Sequence, residues 1–393
     1  MHIDRLFLPF TLPNGTTLRN RIVKSAMSDS LGDGVGNPTE VQMRLYERWA
    51  KGGVGAAIVG EVQGDPRYPE KPGNLLLTDG SDHPAFRHLA RRGAVTGSHL
   101  WLQLGHAGAL TPQAIGPAAG PSALDVPGLK TRALTRAEIQ ALPDQIAGTA
   151  RLAEQLGFSG VQVHAAHGFL LSQFLSPLFN RRDDPYGGPI ANRMRLLLEV
   201  VAAARSAVSP TFTVALKLNA SDLLDGGFSP DDALAVVRDL NGSGLDLIDI
   251  SGGTYFPGAP AASDRQTSGP YFLDFARAAR RVTDIPLMAT GGFKKQAEAD
   301  TALAEGNIDL VGLARALVLA PDLPKRWSAK QNDVVFPRFE ETTPGGVTAW
   351  YTMRLTAIGE DREDRYHLGL AEALAAYDAR DAQRAPLWRS AHL

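Results

Sequence analysis

The segment HAAHGFLLSQFLSP, residues 164–177, sets two histidines three apart and follows them with Phe169, which has no ionisable neighbour. His164 and His167 admit three readings. A buried histidine is often hydrogen-bonded packing, a pair can supply two of three metal ligands, and two neutral imidazoles can donate N–H bonds to one substrate oxygen and polarise it. The metal reading lacks a third partner, since few carboxylates fall at neighbouring strand ends and the chain has no cysteine. Lys217, in LKLNASD, is equally open: a structural ion pair, a Schiff-base lysine, or a fixed positive charge beside a cofactor that becomes anionic. Thr290-Gly291-Gly292 and Gly312-Leu313-Ala314-Arg315 are more mechanical. Glycines let backbone N–H groups close on an anion and an arginine adds a charged fork, so these turns favour a phosphorylated ligand over structural turns.

For such residues to meet, the chain must bring distant segments to one end of one scaffold. Eight short β-rich apolar runs recur: Arg21–Met27, Ala56–Val62, His99–Leu104, Gly160–His164, Thr213–Leu218, Leu245–Ile250, Ile285–Ala289 and Leu310–Leu313. Several are nearly continuous in Val, Ile and Leu, as strands buried on both faces should be. Helix signals separate them: Thr39 before EVQMRLYERWA, the box Thr135-x-x-Glu138, and Ser229-Pro230 before DDALAVVRDL. Strand then helix, eight times, predicts an α/β fold, a (β/α)8 TIM barrel over residues 1–330. A hairpin around Asn14-Gly15 is expected to close its bottom. Residues 331–393 form an extension whose helical stretch, YHLGLAEALAAYDARDAQR, could pack on the barrel or on a second subunit, so a homo-oligomer is allowed.

In such barrels the carboxyl ends of the strands face the pocket. Those ends carry Ser25 to Ser28, Gln103 and His106, His164 and His167, Lys217 and Asn219, and Ser251-Gly252-Gly253, before the two glycine turns. Two connections exceed ordinary loop length and are expected to shape the substrate site. One runs from Gly105 to Leu134 with four prolines; the other, TYFPGAPAASDRQTSGPYF, brings Tyr255, Phe256 and Tyr271 to the same end.

The 40 Lys and Arg against 42 Asp and Glu leave a net charge of −2 with no basic stripe, so neither nucleic acid nor an anionic membrane is indicated and the partner is a small molecule. The absence of cysteine removes disulfides, thiolate nucleophiles and iron–sulfur clusters. No signal-peptide core and no run of 18 apolar residues occurs, so the expected location is the cytosol.

In order along the chain, NRIVKSAMS, GGVGAAIVGEV, LWLQLGHAG, HAAHGFLLSQFLSPLFNRRDDPYGGPIANR, LKLNASD, ISGG and TGGF…DLVGLAR resemble the old yellow enzyme family of flavin-dependent ene-reductases, over about residues 5–320. The resemblance implies a barrel binding FMN non-covalently, reduced by NADH or NADPH and reoxidised by an activated alkene in a ping-pong cycle. It implies that Ser25, Ala26, Met27, Ser28 and Val62 line the flavin and that Gln103 bonds its pyrimidine edge. Lys217 falls where the family usually has arginine, beside N1, while Gly291, Gly292, Ala314 and Arg315 fall at the phosphate. His164 and His167 match the pair that grips the oxidant's oxygen, with Phe169 and Tyr255 beside the substrate.

The chain also departs from the pattern. Ser28 stands where many relatives have cysteine or threonine, Ala109 where many have arginine, and Ala314 where glycine is usual. Phe169 replaces the tyrosine that usually protonates the α-carbon, and Phe has no proton to give. Water, Tyr255 or Tyr351 would have to serve instead. Without a donor at 169, the reduced flavin could serve quinone, azo or oxygen acceptors, or a C=C isomerisation. A reading of another class is a flavin-free lyase using Lys217 as a Schiff base. Lacking cysteine, the chain cannot be one of the iron–sulfur relatives that reduce dienoyl thioesters, and it reads as the small single-barrel form.

Overall fold

The computed structural model describes residues 4–256, 259, 269–340 and 343–393. Eight parallel strands close on themselves: β1 (Ile22–Lys24), β2 (Ala56–Gln63), β3 (His99–Gly105), β4 (Gly160–Ala165), β5 (Thr213–Asn219), β6 (Leu247–Ser251), β7 (Leu287–Thr290) and β8 (Leu310–Leu313). Each pairs with the next, and β8 pairs back to β1 through Val311 opposite Ile22. Every predicted strand overlaps an observed one. The predicted caps are also present: Thr39 accepts from Gln42 N–H, Thr135 and Glu138 form a capping box, and Ser229 accepts from Asp232 N–H.

The twofold alternation of side chains along each strand builds the interior in layers. Val23, Ile58, Trp101, Ala215, Leu247, Met288 and Leu310 form one buried apolar cluster inside the barrel. Leu12 and Leu18 of the N-terminal hairpin, whose strands are Phe10–Thr11 and Thr17–Leu18, join it from below. Asn14 at the hairpin tip anchors to the Thr213 hydroxyl at 3.0 Å. Burying Leu18 fully contributes roughly 1.5–3 kcal/mol, and it closes the bottom to water. Two residues further along each strand stand Ser25, Gly60, Gln103, His164, Lys217, Asp249, Thr290 and Gly312. Each of these is polar or glycine. The inside of the barrel therefore changes from dry to polar within one pleat of its upper end.

The connection after β3 is folded, with a 3-10 turn at Gly108–Leu110 and a small sheet of Ala119–Gly120, Leu124–Val126 and Leu129–Ala133. The connection after β6 lies mostly outside the described residues. Beyond the barrel, helix α1 (Gly346–Gly359) packs on the helix Glu40–Gly52, where Arg44 and Arg48 donate to the carbonyls of Gly359 and Ile358. Helix α2 (Leu370–His392) returns to the barrel rim: Trp388 is fully buried and its indole N–H donates to Pro66 O at 2.8 Å.

Candidate active site

The polar layer is one connected network. Asp249, on β6, accepts from Lys217 Nζ and from Gln162 Nε2 (3.1 Å) on one oxygen, and from Thr290 Oγ1 (2.6 Å) on the other. Gln103 donates to Gln162 at 2.7 Å, and Ser25 shares a hydrogen bond with Thr290 at 2.9 Å. Parallel register explains the contact of the charges, because Lys217 is the lateral neighbour of both His164 and Asp249. Of the three readings of Lys217, the geometry is that of an ion pair. Its amine is committed to a carboxylate, which leaves a Schiff-base role without a free nucleophile.

His164 and His167 meet edge to face, their ring centroids 5.3 Å apart. His167 is held at φ +60°, with its N–H donating to Asn219 Oδ1 and its Nε2 2.8 Å from Ser251 Oγ. Burial pushes both imidazoles towards the neutral form, His164 to about 3 and His167 well below the usual range, and the Lys217 charge adds to this. Each ring thus keeps a single N–H to donate. Among the described residues no group of three or more His, Asp or Glu is arranged to hold a metal ion.

Phe169 is buried against His164 with ring centroids 4.9 Å apart. Tyr255 lies across both, 5.7 Å from His167 and 5.9 Å from Phe169, with much of its ring exposed. Tyr351 is elsewhere: its ring lies under the Arg315 guanidinium at 5.1 Å, at the β8 end, so helix α1 contributes to that corner of the barrel mouth. His106 stacks on Tyr68 at 4.4 Å rather than joining the histidine pair, and Ala109 packs among Leu124, Leu129 and Phe256.

At the end of β7, Gly291 and Gly292 have φ of +123° and +86°, a region that side chains disfavour. A Cβ on Gly292 would lie 2.2 Å from Gly269 O, and one on Gly312 would lie 2.0 Å from Thr290 Oγ1. Ala314 has φ −112°, so no left-handed geometry demands the glycine usual there. Ser25 is buried beneath the rim, Ala26 packs against the inner cluster, Met27 packs against the outer core, and Ser28 bridges laterally to Gly60.

From β2 the structure turns a different residue inward than expected. The pairing of β2 with β3 slips by one residue between Val59 and Val62. Such a bulge re-aims side chains. Val62 packs in the outer core with Leu75 and Leu104, while Glu61 points to His164, its Oε1 3.1 Å from Nε2. Glu70, on the following connection, accepts from the Ser28 hydroxyl at 2.6 Å. Burial raises Glu61 to about 8 and, with Glu61 adding to it, Glu70 to about 7. Sequence reasoning missed Glu61, Glu70, Gln162 and Asp249. The signal for Glu61 was a lone carboxylate inside an otherwise apolar run, and for Asp249 one of the two aspartates in LDLIDI, which a strand buried on both faces tolerates only with partners.

A closed barrel with a polar upper layer, glycine turns and an arginine at β7 and β8, and two neutral imidazoles at β4 defines a flavin-binding type of oxidoreductase barrel. Residues 5–333 match the model of the NADH:flavin oxidoreductase / NADH oxidase family, and the chain belongs to that family, an FMN family whose members are named for NADH or NADPH. It is 35% identical over 354 residues to the NADH-dependent flavin oxidoreductase iliE of Hypocrea jecorina, covering 81% of this chain and 87% of that one. It is 34% identical to an NADPH dehydrogenase of Geobacillus sp., covering 81% and 92%. Another relative, the iliE protein of Neonectria sp., is longer, and the match (37% identical, 87% of this chain) spans 49% of its length. Among solved structures, the old yellow enzyme homologue from Zymomonas mobilis superposes with a TM-score of 0.73 at 25% identity, covering 87% and 98% of the two chains. No helix among the described residues is long and apolar enough to cross a membrane.

Proposed function

We propose that the chain reduces activated C=C bonds in α,β-unsaturated carbonyl or nitro compounds by a ping-pong cycle, with His164 and His167 gripping the acceptor's oxygen. The observation that carries this reading is the pair of neutral imidazoles, edge to face at 5.3 Å, above a buried polar floor. N–H donors brought from both rings to one oxygen would stabilise the charge that develops there during reduction. Ser25 to Ser28, Gln103, Lys217 and the turns at Gly291, Gly292, Ala314 and Arg315 would hold FMN, and the positive φ of Gly291 and Gly292 makes a turn of the kind whose backbone N–H groups can close on a phosphate. When bound, FMN supplies the hydride transfer between NAD(P)H and acceptor. Beside a bound flavin Lys217 would bring less than a full positive charge, because Asp249 balances it.

Phe169 fills the position beside His164 with a ring that excludes water and gives no proton. Tyr255, facing both His167 and Phe169, is the phenol best placed to protonate the acceptor, with solvent as the alternative source. The same observation favours a second reading, in which the natural acceptors are quinones, azo compounds or oxygen, or the outcome is a C=C isomerisation. The test is anaerobic stopped-flow spectroscopy of the purified holoenzyme. Flavin reduced by NADH or NADPH should be reoxidised by enones, maleimides or nitroalkenes; failure with all three refutes the ene-reductase reading, and reoxidation by quinones, azo dyes or admitted oxygen alone would favour the second.

A further inference from the structure

Glu61 has no part in the cycle above, yet it touches the clamp. Its Oε1 lies 3.1 Å from His164 Nε2, and both side chains are nearly inaccessible to solvent. The other ring nitrogen decides the direction of that bond: Ala166 N–H donates to His164 Nδ1 at 3.2 Å. The neutral ring therefore carries its proton on Nε2 and donates it to Glu61. Oε2 of the carboxyl nests against Gly105, where a Cβ would sit 2.0 Å from it, and receives a long 3.5 Å contact from Gln63 Nε2. The carboxyl is thus fixed in place, and among the described residues its one short hydrogen bond is to the imidazole expected to hold the acceptor.

We propose that Glu61 is a positioning residue that competes with the acceptor's oxygen for the Nε2–H of His164. The inference deepens the carbonyl-acceptor reading and rests on it. A neutral carboxyl accepts weakly and releases the N–H to an incoming oxygen; a carboxylate holds it through a charge-assisted bond roughly twice as strong. Burial, with no cation paired to Glu61 among the described residues, raises the carboxyl to about 8. The groups that face this corner are His167 against the His164 ring, Glu70 after β2, Tyr255 after β6, His106 at the end of β3, and the Lys217–Asp249 pair behind His164. All three histidines stay neutral through the alkaline range, so among the described residues at this corner Glu61 and Glu70 are the groups that titrate near neutrality.

The probe is cyclohexanone, a saturated ketone that does not ionise, bound to the FMN holoenzyme and read by perturbation of the flavin spectrum. Its Kd should rise about tenfold from pH 6.5 to 9.5 with a midpoint near 8, and Glu61→Gln should abolish the rise. A native Kd that is flat across this range, or a variant that titrates like the native enzyme, would overturn the proposal. A second readout needs no folded variant and no ligand. In protein with 15N-labelled histidine, with nine histidines in the chain, the Nε2 resonance of His164 should shift with a midpoint near 8 while Nδ1 stays unprotonated. A resonance that does not move refutes the coupling of Glu61 to His164. If it moves but cyclohexanone binds at no pH, the carbonyl-acceptor reading falls, and the competition falls with it.

Discussion

Replacing Lys217 by methionine should expose how much the polar floor depends on charge balance. Lys217 and Asp249 are both almost fully buried, and Asp249 also accepts from Thr290 at 2.6 Å and from Gln162 at 3.1 Å. Methionine keeps most of the side-chain volume and removes the charge. Those two neutral donors are already bonded in the native protein, so they cannot offset the loss. Breaking a buried pair by deleting one partner costs about 3–5 kcal/mol, because the remaining charge stays out of water. Lys217→Met should therefore lower the unfolding free energy by about that amount, and adding Asp249→Asn should recover all but about 1 kcal/mol. The assay is urea unfolding of the FMN-saturated enzyme followed by circular dichroism. The flavin midpoint potential supplies an independent sign: Lys217→Met, which leaves a net negative charge, should lower it, and Asp249→Asn should raise it. A Lys217→Met protein within 1 kcal/mol of native, or a double variant no more stable than that single one, would refute the reasoning.

Three further outcomes are expected. Phe169→Tyr should speed enone reduction by about 10²–10⁴ where proton delivery limits turnover and leave quinone reduction unchanged; equal effects on both, in paired stopped-flow traces, would remove the case for a missing donor. Gly312→Ala, whose Cβ would fall 2.0 Å from Thr290 Oγ1 and 2.5 Å from Ser25 Oγ, should cost about 1–3 kcal/mol and weaken FMN retention, read by thermal melting and by flavin content after gel filtration. His106 and His164, lowered by burial to about 4 and about 3, stay neutral where the unfolded chain binds protons, so each draws stability down as pH falls below about 6.5, against the raised carboxyls of Glu61 and Glu70, which draw it up. Each histidine's share is about 1.4 kcal/mol per pH unit, so the stability of His106→Gln relative to the native protein should rise by about that per unit as pH falls from 6.5 to 5 in melting curves.

The barrel was legible because strands buried on both faces must read as apolar runs, and because Thr39, Thr135 and Ser229 announce helices by local chemistry. The hairpin at Asn14-Gly15 was equally local. The inner polar layer was legible in part: Ser25, Gln103, His164 and Lys217 were found as strand ends, but their partners Asp249 and Gln162 were not. Lys217 and Asp249 are 32 residues apart, and only the barrel's register makes them neighbours. Glu61 was hidden for another reason. Strict alternation would not bring Gly60 and Glu61 both to the inner face, and the bulge that re-aims Glu61 arises from pairing with β3. Tyr351 could be named but not located, because its position depends on where helix α1 docks.

The hydrogen bonds running from Gln103 through Gln162 and Asp249 to Thr290 and Ser25 join five of the eight strands, and Lys217 adds a sixth. For anyone re-engineering the cofactor's surroundings, these six positions are one design variable. A library that randomises them singly will return mostly unstable proteins, whereas sets exchanged together, donor for donor and charge for charge, keep the barrel intact while the flavin's potential is moved.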